Sequence, residues 1–237
     1  MSEIYVKNRD VAVPGDILAK GMDYLPGFGT YRKKDLIIGS RLGLIKVDGR
    51  AIKLTPLTGR YIPKKNDVVI GKVIDITMSG WRLNINSAYS GMLMMKDATS
   101  EFIQKGADLT KFFDLGEYMV CKIVNVTSQK LVDLTMKGPG LKKLNSGRII
   151  TVNPYKVPRI IGKQGSMVSM IKDATGCYIV VGQNGLIWLK GEAKNETIAI
   201  MCIKMIEQEA HIPGLTTRIK EFLEKKLNKE ININKGE

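Results

Sequence analysis

The stretch RIIGKQGS, residues 159–166, is the tightest local constraint in this 237-residue chain. Two glycines three positions apart enclose Lys163 and Gln164, with a β-branched run before them and a hydroxyl after. Glycine at both ends permits left-handed backbone angles and lets the main chain lie close to whatever faces it. The segment after the second glycine has a helical pattern: Met167, Met170, Ile171 and Ala174 recur at i, i+3, i+4 and i+7, and Gly176 supplies a stop. Upstream, RIITVNP reads as a strand and KVPRII as a short helix beginning at or near Pro158. Downstream, CYIVVGQNGLIWLKG predicts two strands turning near Asn184-Gly185. AKNETIAIMCIKMIEQEA then predicts a long helix with Ile198, Met201, Cys202, Met205 and Ile206 on one stripe. The order is β-α-GxxG-α-β-β-α.

A glycine pair in that setting has a chemistry. Neither glycine puts a Cβ in the way, and the helix from Ser166 aims its unpaired amides and positive dipole end at the same spot, so phosphates can lie against the main chain. Lys163 adds a mobile charge, Ile160 and Ile161 offer apolar surface to unstacked bases, and Arg159 and Arg148 can reach a backbone or a base edge. The same letters also arise where a glycine cap and a serine N-cap merely join two helices.

The remaining sequence divides at two turn-rich basic stretches, RYIPKKND at 60–67 and MKGPGLKKLNSG at 136–147. The expected modules are 1–65, 66–137 and 146–237. The first is a small all-β unit, with turns at Pro14-Gly15 and Asp48-Gly49 and a core small enough that it should pack on something larger. The second offers five strands (67–76, 81–86, 91–95, 118–126 and 131–137) with a helical segment, DATSEFIQKGADL, between the third and fourth, the pattern of an OB-type barrel. Alternation places Trp81, Leu83 and Ile85 on one face and Arg82, Asn84 and Asn86 on the other, so Trp81 reads first as a core or interface aromatic. The chain ends on an amphipathic pattern, Ile219, Phe222, Leu223, Leu227 and Ile231, expected to pack on the third module.

Charge narrows the partners. The net charge is +14. Residues 1–65 carry 13 basic and 6 acidic side chains, 66–145 carry 10 and 8, and 146–237 carry 14 and 9, so both ends are basic and the middle is nearly balanced. That favours a polyanionic partner. Cys121, Cys177 and Cys202 lie far apart with a single histidine, His211, in the chain, which argues against a zinc site and for reduced core thiols. No nucleophile–base or phosphate-loop motif is present, and Asp97, Glu101 and Asp108 lack a paired spacing, so neither catalysis nor a metal or other cofactor is expected. Without an apolar leader or a span of about 18 apolar residues, the expectation is a soluble cytoplasmic chain with no membrane partner.

The third module resembles a KH domain with its extra strand and helix on the C-terminal side, a family that clamps about four nucleotides of single-stranded nucleic acid across its GxxG loop. GKVIDITMSGWRLNI, SGMLMM and DLTMKG in the middle module are similar to the S1 form of the OB fold. There Trp81, Arg82, Lys96 and Lys122 are the candidate RNA contacts. The module departs from that family at Ser79-Gly80-Trp81-Arg82, where Phe-Gly-x-Phe is usual, and at Met94, where a histidine is usual. Stacked bases are worth about 1–3 kcal/mol each, so these departures imply a positively lined passage or a protein contact rather than a tight base reader.

VPGDILAKG, GFGTYRKKD and GLIKVDGRAIKLTPLTGRYIPKKNDVVIGKV are similar to the start of the RNA-binding cap subunits of archaeal exosomes, relatives of eukaryotic ribosomal-RNA-processing protein four. The order of N-terminal β domain, S1 and KH matches as well. The resemblance implies a non-catalytic subunit, present in three copies or sharing the cap with other cap subunits, on a six-membered ring of RNase PH-like proteins. Its N-terminal domain would dock on the ring, its S1 domain surround the pore and its KH domain catch single-stranded RNA for 3′ to 5′ degradation and processing. Two alternatives stay open: a transcription elongation factor of the Nus A kind, which usually carries two KH units where this chain has one GxxG, and a polynucleotide phosphorylase tail, whose KH and S1 order is the reverse.

Overall fold

A computed structural model describes residues 2–99, 101, 103, 104 and 106–227. The chain forms two compact units, residues 1–59 and 60–237.

The N-terminal unit is all β. Its strands are β1 (Glu3–Ile4), β2 (Val11–Ala12), β3 (Ile17–Lys20), β4 (Leu25–Pro26), β5 (Thr30–Lys33), β6 (Leu36–Gly39), β7 (Gly43–Asp48) and β8 (Ala51–Pro56). They make two four-stranded sheets, ordered β1-β3-β6-β5 and β2-β7-β8-β4. Leu18, Ala19 and Ile37 from one sheet and Ala12, Ile45, Ile52 and Leu54 from the other form a common core. Asp48 pairs with Ala51, so the two-residue turn falls on Gly49-Arg50, one position later than the Asp48-Gly49 expected, with Gly49 taking the positive φ of +58°.

The second unit begins with a closed barrel of β9 (Val68–Thr77), β10 (Gly80–Asn84), β11 (Ser90–Met94), β12 (Tyr118–Val126) and β13 (Val132–Thr135). The strands follow the order β13-β11-β10-β9-β12, closed by pairing of β12 with β13, and β14 (Lys143–Leu144) adds to the edge of β12. Trp81, Leu83 and Ile85 lie inside, with Val69, Met119, Cys121 and Leu134. Among the described residues, the expected helical segment is reduced to the single turn α1 (Met95–Ala98) and a 3-10 turn over Leu109–Lys111. Ile103 enters the barrel core from irregular chain and Leu109 from the 3-10 turn, so packing of single apolar side chains replaces a continuous helical face there.

The KH part comes next in the chain: β15 (Arg148–Thr151), α2 (Val157–Ile161), α3 (Ser166–Thr175), β16 (Tyr178–Val181), β17 (Leu186–Lys190), α4 (Ala193–Glu209) and α5 (Leu215–Leu227). The sheet is antiparallel in the order β15-β17-β16. One face packs on the helices through Ile179, Ile187 and Leu189 with Ile160, Met170, Ile171, Ile198, Cys202 and Ile206. Met201 is an exception to the expected α4 stripe: it is exposed, and Ala199 and Ile203 take the buried places beside Cys202. Ile219 and Leu223 seat α5 on this core, as its apolar pattern requires, while Ile231 lies outside the described residues.

The other face of the KH sheet packs on the outside of the barrel. Trp188, with Ile149, Val180 and Leu186 around it, meets Ile70, Val120 and Leu144. β9 and β12 are therefore covered on both faces, which accounts for their continuous apolar runs VVI and MVC where a half-exposed strand would alternate.

Candidate nucleic-acid interface

The loop between α2 and α3 is built around three backbone conformations that L side chains rarely adopt. Gly162 sits at φ +77°, ψ 178°, Gln164 at φ +53°, ψ +24°, and Gly165 at φ +85°, ψ +4°. A Cβ at Gly162 would lie 2.7 Å from both the Cβ and the backbone nitrogen of Met167, whereas a Cβ at Gly165 would meet nothing within 4 Å. The two glycines thus serve different ends: the first lets α2 turn tightly into α3, and the second leaves open space over the loop. Gly162→Ala should lower stability to denaturant by about 2 kcal/mol or more, from backbone strain and the clash, against about 1 kcal/mol for Gly165→Ala. Equal losses at the two positions would contradict this division.

Lys163 and Gln164 are exposed at the tip, and Arg159 is exposed on α2. Neither Arg159 nor Lys163 forms an ion pair among the described residues, so both charges face solvent. Ser166 is the first helical residue of α3, at φ −56°, with Gly165 at the cap position and no side chain capping the first turn. The Gly165 and Ser166 amides donate to the Gly162 and Lys163 carbonyls, which holds the loop in shape, and the positive end of a ten-residue helix lies behind it. Glycine, lysine, glutamine and serine therefore converge on one exposed surface that carries a free positive charge.

Other expected contacts are not brought to it. Ile160 is completely buried in the core of helices and sheet, and cannot offer surface to a base; Ile161 packs against the same core and is only half-buried. The reason is the helical period, which turns Ile160 inward while Arg159 points out. Arg148 forms an ion pair with Glu196 at 3.1 Å in the first turn of α4. Thirteen residues of helix, about 20 Å, separate Glu196 from Glu209 at the end of α4 near the loop.

On the barrel, Trp81 is fully buried: its Nε1 donates to the Phe113 carbonyl at 2.9 Å, and its ring meets that of Phe113 edge to face at 5.1 Å. It is a core aromatic and not a platform for bases. Arg82 is exposed and paired with Asp75 at 3.0 Å, Lys96 is exposed on α1, and Lys122 is half-buried on β12. Lys122 stands opposite Val68 and Arg82 opposite Asp75, seven residues apart on β9, so about 23 Å of strand separates them and no compact basic cluster forms. Among the described residues no group of three or more His, Cys, Asp and Glu side chains converges where a metal ion could sit. Burial raises the Cys121 thiol and pushes Cys202 up to about 12, which leaves both protonated and unreactive.

Sequence reasoning missed Asn184. Expected as a hairpin turn residue, it is completely buried, and its amide bridges β9 and the end of the neighbouring β10: Nδ2 donates to the carbonyls of Ile70 at 2.7 Å and Ile85 at 2.8 Å, and Oδ1 accepts from the Ile70 amide at 3.3 Å. The Gln183 amide donates to the Val68 carbonyl at 2.8 Å, and Asn86 Nδ2 to the Asn184 carbonyl at 2.9 Å. The tip of the KH hairpin is thereby bolted to β9, and the exposed loop at Gly162–Gly165 is carried on a frame shared with the barrel.

Comparison with known proteins agrees with this architecture. The family profile described as RRP4, S1 domain matches residues 60–106, and that of the KH domain matches residues 147–195. The chain is 44% identical to exosome complex component Rrp4 of Methanobrevibacter smithii over 96% of its own length and 75% of that protein. It is 45% identical to the Methanothermus fervidus protein of the same name, over 93% and 97% of the two chains, and 42% identical to that of Pyrococcus furiosus, over 96% and 87%. A crystal structure described as an exosome complex RNA-binding protein superimposes with a TM-score of 0.63 at 35% identity, covering 71% of this chain and 97% of that one. With such identity across nearly its whole length, and with S1 and KH domains in the family's order, this chain belongs to the Rrp4 family of exosome complex components.

Proposed function

We propose that the chain is a non-catalytic RNA-binding cap of a cytoplasmic exosome, which captures single-stranded RNA and threads it into a ring of RNase PH-like subunits for 3′ to 5′ degradation and processing. The observation that carries this is the loop at Gly162–Gly165, where a helix end without a side-chain cap, an exposed lysine and the open space over Gly165 suit a phosphate clamp in a chain of this family. The N-terminal unit supports the docking part of the reading. Around the turn in which the Val13 amide donates to Asp16 Oδ2 at 2.8 Å, Val11, Val13 and Ile17 are all exposed, an apolar patch suited to a protein partner.

Native mass measurement on the chain mixed with assembled ring subunits tests the proposal. The expected result is a gain of three times 26.3 kDa over the ring alone. No stable association with RNase PH-type subunits would remove the assembly from the reading.

A further inference from the structure

A groove of about 720 Å³ opens behind the clamp. One wall is α2, the clamp and the start of α3, contributing Arg159, Lys163 and Ser166; the opposite wall is the turn between α4 and α5, contributing His211 and Ile212, with Thr216 from the start of α5. Among the described residues, the ionisable groups that line it are Arg159, Lys163 and His211, with no carboxylate. Glu209, at the root of the turn, is paired with Arg218 Nε at 2.8 Å. The same guanidinium donates through Nη1 to the Pro213 carbonyl at 2.6 Å, so the two ends of the turn are stapled to α5. His211 and Ile212 are exposed on this stiff support, and Ile212 retains 42% of its accessible surface. An imidazole and an aliphatic side chain on a braced turn across from a phosphate clamp suit a nucleotide: the ring can stack on a base or donate to a phosphate, and binding has to order the two side chains but not the backbone that carries them.

We propose that the turn between α4 and α5 is a second wall of the RNA site, with His211 and Ile212 holding a nucleotide next to those on the clamp. This rests on the reading of Gly162–Gly165 as an RNA clamp and extends the path of the strand past it. The class of ligand is single-stranded RNA longer than the roughly four nucleotides a GxxG loop engages.

The test is fluorescence anisotropy of the full chain with labelled oligouridylates of four and eight nucleotides, comparing His211→Ala with Ile212→Ala in one variant against Lys163→Asp with Gln164→Asp in another. In the His211/Ile212 variant the eight-mer should lose about tenfold in affinity while the four-mer changes by less than about threefold. An eight-mer bound within about twofold of the parent, while the Lys163/Gln164 variant loses binding, overturns the second wall and leaves the clamp. Equal losses for both lengths also overturn it, and undiminished binding in both variants overturns the clamp reading as well. Photo-crosslinking of a 4-thiouridine eight-mer to the unsubstituted chain is independent of folding in the variants. An adduct on the peptide containing His211 and Ile212 is expected, and adducts confined to other peptides would refute the assignment.

Discussion

Replacing Asn184 by leucine should cost the second unit about 3–5 kcal/mol, because the Ile70 amide and the Ile70 and Ile85 carbonyls lose their partner inside a packed interface and each buried orphan costs about 1–3 kcal/mol. For a unit of this size that is a fall in Tm of about 10 °C. The measurement has a convenient reporter. The chain has two tryptophans, Trp81 in the barrel core and Trp188 between barrel and KH sheet, and neither belongs to the N-terminal unit. Urea unfolding followed by tryptophan fluorescence therefore reads the second unit alone. A loss below about 1 kcal/mol would mean that the apolar contacts around Trp188 hold the two parts without the amide. Asn184→Asp adds a signed test. With two carbonyl oxygens at 2.7 and 2.8 Å against one amide at 3.3 Å, and the site completely buried, the folded state favours the protonated acid, so the carboxyl pKa is raised in the fold. The stability of this variant is then greatest below the unfolded pKa and falls as pH rises through the folded one.

Asn184 also marks where sequence reasoning stops. Residues 183–185 read as a turn, and they do turn; nothing in a single sequence says that the tip of that hairpin is inserted into another domain. A partial signal existed in the continuous apolar runs of β9 and β12, since a barrel strand with one wet face should alternate. The third module is legible because its helices have clear periods and its turns carry glycine where φ is positive. Its contacts are less so. Ile160 and Arg148 are close to the loop in the chain, but one is turned inward by the helical period and the other is tied to Glu196 at the far end of α4. Trp81 shows the reverse: strand alternation groups it with Leu83 and Ile85, and the core is where it lies. That the exposed His211 faces the glycine loop depends on the return of α4 along the sheet, a tertiary fact with no local signature.

Lys163→Asp with Gln164→Asp should reduce affinity for single-stranded RNA by about tenfold to hundredfold at low salt. The pair of changes shifts the local charge by three units beside bound phosphates, and each unit near a surface is worth on the order of 1 kcal/mol. Because one phosphate contact goes, the slope of log affinity against log salt should also become shallower by about 0.7, so the gap between variant and parent narrows as salt rises. The fold has no stake in either side chain: both are exposed at the tip of the loop. Aspartate tolerates the left-handed conformation at position 164 at least as well as glutamine does, so the Tm should stay close to that of the parent. An unchanged Tm with unchanged RNA affinity would sink the clamp. A lost affinity with an unaltered salt slope would place the effect on base contacts rather than phosphates. The distinction bears on the proposed role of passing varied RNAs onward, since a grip on the backbone holds any sequence and weakens for all of them alike.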